Sequence, residues 1–110
     1  MLRQRSKGGI LMIEEIFNQI DELGVNELEN ENMTIYFIQK EEVEAAANDV
    51  GKKIPWNNEW IIFGFDEETD DPIFLDKLTG NICTAYEFEG DWEKVILFKN
   101  IEELFNAYEL

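Results

Sequence analysis

Apolar residues along this chain change their period several times, and each change marks an element. From Ile13 to Leu23 they fall at Ile13, Ile16, Phe17, Ile20 and Leu23, with acids on the other side. That spacing predicts an amphipathic helix, and Gly24 directly after it is a stop signal. Asn26 to Asn32 is polar and acidic and reads as a loop. Thr34-Ile-Tyr-Phe-Ile38 is β-branched and aromatic and predicts a strand. Lys40 to Val50, with Ala45-Ala-Ala47 and leading glutamates, predicts a second helix closing at Gly51. Pro55 forbids its continuation.

The pattern then turns to short periods. Trp60 to Phe65 is apolar on both faces apart from Gly64, as in a central strand. Asp66-Glu-Glu-Thr-Asp-Asp71 separates it from Ile73-Phe-Leu75, with Pro72 tolerable at a strand's first position. These are two paired strands around a negatively charged turn. Lys77 to Asn81 is a further turn, with Gly80 and Asn81 suited to positive φ. Ile82 to Phe88 alternates, placing Ile82, Thr84, Tyr86 and Phe88 on one face. Gly90-Asp91 turns again, and Val95 to Phe98 is a short strand. Asn100 with Glu103 three residues on predicts a capped final helix, buried along Ile101, Leu104, Phe105 and Tyr108. The order is α-β-α-β-β-β-β-α. Tight connections make the later strands antiparallel neighbours, and the fold class is α+β, a single domain with helices on one face or one end of the sheet.

Residues 1–11 differ from the rest: they hold three positive charges, two adjacent glycines and no acid. Lys7-Gly8-Gly9 is what a purine-rich ribosome-binding sequence would encode in frame, and Met12 follows two codons after Ile10 begins. We therefore expect 1–11 to be a non-native leader and 12–110 the domain. Mass spectrometry of natively expressed protein checks this.

Charge narrows the function. Twenty-five acids face nine lysines and arginines, a net charge of −16. Solubility alone needs a magnitude of roughly 2–8. Such a surface repels nucleic acid and anionic lipid and favours a basic protein partner. One cysteine, Cys83, leaves no internal disulfide, and no apolar run is long enough to cross a bilayer. A cytoplasmic location is expected.

The chain has no histidine, so triads with a histidine base are excluded. Cys83 sits in a predicted strand as a packing residue. No phosphate-binding glycine loop follows a strand. The acidic turn invites a calcium reading, but Asp71 stands where the sharp-turn glycine of a calcium loop belongs, and Pro72 follows. With so many acids, a carboxylate pair carries no specificity for hydrolysis. No catalytic residue, cofactor or metal is expected. Trp56 and Trp92 lie at predicted element edges, where packing is the ordinary role and partner contact the alternative.

Trp60-x-x-Phe63-Gly64-x-Asp66-Glu67, then Asp71-Pro-Ile-Phe-Leu-Asp76 and Thr79-Gly80, resembles the core signature of the SUKH superfamily, homologues of the yeast cell-wall glucan-synthesis regulators. Gly90-x-Trp92 and the closing Phe98 to Phe105 segment resemble that family's glycine–tryptophan turn and terminal helix. The likeness covers roughly Thr34 to Leu110. The chain is short for the family, and Asp70 stands where a glycine is usual. The resemblance implies an α+β antiparallel fold and a non-enzymatic immunity protein that neutralises a cognate toxin, often a nuclease or deaminase. A regulatory scaffold module of the cell-wall regulator type is the alternative. The expected contact residues are Asp66, Glu67, Glu68, Asp70 and Asp71 in the turn, with Asp91, Trp92 and Glu93. Trp92 would anchor and the carboxylates would steer.

Overall fold

The structure, a computed structural model, describes residues 9–109. Helix α1 spans Gly9–Leu23, β1 Glu27–Glu29, β2 Thr34–Phe37, α2 Val43–Val50, β3 Trp60–Asp66, β4 Pro72–Asp76, β5 Ile82–Phe88, β6 Asp91–Phe98 and α3 Ile101–Ala107. A single 3-10 turn, Lys40–Glu42, leads into α2. The six strands form one sheet in chain order, each antiparallel to the next. This is the expected α+β fold with an antiparallel sheet. Of the expected leader, residues 1–8 lie outside the described part, and Gly9–Leu11 form the first turn of α1.

The helices do not share a face. Ile16, Phe17 and Ile20 of α1 and Ile101, Leu104 and Tyr108 pack on Ile35, Phe37, Phe63, Ile73, Leu75 and Ile82. On the other face Ala46 and Val50 of α2, with Trp56, cover Ile62, Phe74, Cys83 and Ala85. The expectation of one covered face fails for a simple reason. Apolar spacing gives the buried stripe of a helix but not the side of the sheet it meets. Because both faces are covered, β4 is buried along its whole length.

Strand β3 has a bulge that serves this double burial. Ile62 pairs with Phe74 and Gly64 with Ile73, so Phe63 is the extra residue. Phe63 packs on the α1/α3 side while Ile62 and Phe65 pack on the α2 side. A Cβ on Gly64 would meet the Tyr36 carbonyl oxygen at 2.8 Å and Ile35 Cγ2 at 2.9 Å. Gly64 thus lets β2 lie close beside the bulged strand.

Three local expectations need correction. The 26–32 segment contains β1, which pairs with β2 through Glu27↔Tyr36 and Glu29↔Thr34. Leu28 alone is apolar in it, so no alternation was visible. The last hairpin turns on Glu89 and Gly90, at φ 53° and 81°, not on Gly90 and Asp91. Two left-handed residues match the twist of a two-residue hairpin. Consequently β6 begins at Asp91, and Trp92 lies inside a strand. β6 is an open edge defended by the charges of Glu93 and Lys94 and by a bulge at Leu97, between the pairs Cys83↔Ile96 and Ile82↔Phe98.

The final helix is capped as expected. The Asn100 side chain accepts the Glu103 N–H at 2.9 Å, and Glu103 accepts the Lys99 N–H at 2.8 Å, one residue before the cap. Asn100→Ala should lower stability by about 1 kcal/mol in urea unfolding, with Asn100→Asp retaining most of it. Equal stability for the alanine variant would assign the cap to the Glu103–Lys99 contact.

Candidate protein-docking surface

A meander of antiparallel strands sends alternate connections to the same end. The β1–β2, β3–β4 and β5–β6 connections therefore share one end of the sheet. They carry Glu31, then Asp66, Glu67, Glu68, Asp70 and Asp71, then Glu89 and Asp91, and not one lysine or arginine. The C-terminal end of α3 reaches the same place: Asn30 Nδ2 donates to the Ala107 carbonyl, and the Tyr108 hydroxyl donates to the Met33 carbonyl at 2.9 Å. Burial pushes the Tyr108 hydroxyl up to about 12, with the Asp66 charge adding to it. A helix C-terminus contributes partial negative charge of its own.

The acidic turn is held by its own atoms. Asp66 Oδ1 accepts the N–H groups of Glu68 at 2.8 Å and Thr69 at 3.3 Å, and Thr69 Oγ1 accepts the Asp71 N–H. Asp70 adopts φ 68°, the left-handed region that glycine enters freely. Asp66 is therefore a structural acceptor, while Glu67, Glu68, Asp70 and Asp71 are the carboxylates the turn presents. Among the described residues, no group of three or more His, Cys, Asp or Glu side chains is arranged to hold a metal ion.

Trp92 is placed differently from the expectation that it anchors a partner. Its indole N–H donates to the Ile54 carbonyl at 3.2 Å, and its ring meets Trp56 edge-on at 5.2 Å. Trp56 in turn packs edge-on against Trp60 and Phe74, and its N–H donates to the Trp60 carbonyl. Trp92 is half-buried in this aromatic cluster, as Trp56 is, because β6 begins early enough to carry it onto the α2 face. Glu93 is exposed and pairs with Tyr86, away from the Trp92 side. Of the expected contact residues, the 66–71 turn and Asp91 converge on one end, Glu93 stands just above them, and Trp92 faces inward.

Beside the acidic end a groove of about 710 Å³ runs over β2 and β3. Tyr36, Ile38 and Phe65 line it, with Glu42 from the 3-10 turn and Asp66, Glu67 and Asp70 from the acidic turn. Tyr36 is 51% exposed although its neighbours Ile35 and Phe37 are buried. The sequence reading missed this groove. Its one signal is phase: in Ile35-Tyr36-Phe37, the tyrosine faces opposite to the two core residues.

The chemistry elsewhere is inward and paired. Asp76, 4% exposed, binds Lys94 Nζ at 2.8 Å and accepts the Leu78 N–H at 3.0 Å, fixing the β4–β5 turn. The hydrogen bond to Asp76 raises the Lys94 ammonium above its usual range. Cys83 lies fully buried beneath, and burial pushes its thiol up to about 11. Such a thiol is a poor nucleophile. No described helix is long and apolar enough to cross a membrane. No family model, no curated protein and no solved structure matches the chain.

Proposed function

We propose that this protein is a non-catalytic immunity protein that binds and neutralises a cognate basic toxin domain, such as a nuclease. The observation that carries the reading is the end of the sheet where eight carboxylates gather from three connections without a cation. Nuclease surfaces are basic because they grip phosphates. An end lined with carboxylates presents a similar charge pattern and draws such a surface in from a distance. Three hairpins hold it, so little ordering is needed on contact. The resemblance of Trp60 to Gly80 to the SUKH signature supports the same reading. Asp70 also fits it, since the residue standing where that family has glycine adopts a glycine-like φ. The inward placement of Cys83 and the lack of histidine support a role without catalysis.

Co-purification with the product of a neighbouring gene identifies the partner. The complex should weaken steeply as salt rises. A variant carrying Glu67→Gln, Glu68→Gln, Asp70→Asn and Asp71→Asn should associate at least about tenfold more slowly at low salt, with a smaller change in dissociation. Asp66 is left intact because it holds the turn. A toxin complex indifferent to both salt and these substitutions would rule out steering by this end. A partner that is an endogenous cell-wall regulator would favour the scaffold reading instead.

A further inference from the structure

We infer that the groove over β2 and β3 is a receptor for an arginine side chain on an exposed segment of the basic partner. The inference rests on the reading of the protein as a binder of a basic domain, and it says which chemistry that binder selects.

The face of the sheet that α2 covers is left open over β2. Tyr36 lies there, half exposed, and Phe65 is its cross-strand neighbour. The strand direction places Glu42 at one end of the groove and Asp66 and Asp70 at the other. None of these three carboxylates makes a salt bridge with a described residue. The floor is thus aromatic and both ends are anionic. Glu42 Oε1 accepts the Gln39 N–H and Asp66 Oδ1 those of Glu68 and Thr69, so what these carboxylates lack is a cation. A neutral apolar side chain would cover the ring but leave their charge unbalanced, and an anion would be repelled. A cation satisfies both parts.

Among cations the shape selects arginine. A guanidinium is planar, lies flat on a phenol ring and offers paired N–H groups to a carboxylate at its edge. A lysine ammonium is a compact, strongly hydrated point charge that gains less from an aromatic face. The acidic end next to the groove makes no such distinction, because attraction at a distance depends on charge and not on shape. The two features divide the work: the end attracts any basic surface, and the groove favours one whose arginine reaches Tyr36.

The test uses the full chain and two short glycine-spaced peptides of equal charge, one bearing arginines and the other lysines, titrated by calorimetry. The arginine peptide should bind about 3–10-fold more tightly. Tyr36→Ala should abolish that preference and Tyr36→Phe should keep it, with circular dichroism confirming that the fold persists. Glu89→Gln, at the acidic end outside the groove, should weaken both peptides alike. Equal affinity for the two peptides, or a preference that survives Tyr36→Ala, overturns the inference. The two readings fail separately. Arginine preference without a toxin partner removes the immunity role and leaves the groove. Salt-dependent toxin capture without arginine preference does the reverse.

Discussion

Phe74→Ala is expected to cost about 3–5 kcal/mol. Phe74 is fully buried in β4, a strand covered on both faces. Its ring stacks on Trp60 at 4.6 Å and meets Trp56 edge-on at 5.2 Å. Removing it leaves a hole beneath both indoles and loosens Trp56, which supports Trp92. A domain of this size has a total stability of about 5–15 kcal/mol, so the variant should retain a small margin or none. All three tryptophans of the chain belong to this cluster, so urea unfolding followed by tryptophan fluorescence reads the loss directly. Leu78→Ala, at a side chain 76% exposed, is the matched control and should change stability by less than about 0.5 kcal/mol. A loss below about 1 kcal/mol for Phe74→Ala would mean that the indoles close over the gap.

Gly64→Ala should cost about 2–3 kcal/mol through overpacking. The added methyl meets the Tyr36 carbonyl oxygen at 2.8 Å, and that atom is backbone. No rotamer change relieves it. Either β2 moves off β3 or the bulge at Phe63 reshapes. Because β1 attaches to the sheet only through β2, both outer strands should loosen together. Hydrogen exchange tests this: the amides of β2 should lose protection while those of β4 and β5 keep it. Uniform loss across the sheet would mean that the strain spreads through the core instead.

The parts of the fold that could be read from sequence are those whose period differs from that of their surroundings. β3 and β4 stand out because they are apolar on both faces and flank five carboxylates. α3 stands out because Asn100 and Glu103 mark its start. β1 leaves almost no trace, since three residues with a single leucine have no period to detect. The side of the sheet each helix covers is invisible for a different reason: an apolar stripe is equally content on either face, and only the long excursion between β2 and β3 carries α2 across.

The candidate surface divides in the same way. The acidic turn is plain from composition, whereas its union with Asp91 and Glu31 follows from the number of strand reversals. Trp92 misled because a tryptophan next to a glycine turn reads alike whether it points out or in. Ile54, whose carbonyl fixes the indole, is 38 residues away. Tyr36 was legible as a strand residue, but whether a helix covers an aromatic is decided by tertiary structure.

The carboxylates of the three connections stand at one end of the strands with no lysine or arginine among them, whereas at the other end Lys40, Lys77 and Lys99 are interspersed with Glu41, Glu42, Glu59 and Glu103. The negative charge is therefore undiluted at one end of the molecule and partly offset at the other. In the field of a basic surface an anion charged so unevenly feels a torque, so it rotates as it approaches. The same charge spread evenly would attract the protein but let it arrive facing any way. This one arrives with its turns leading, and a larger share of encounters begins in the orientation that can go on to contact.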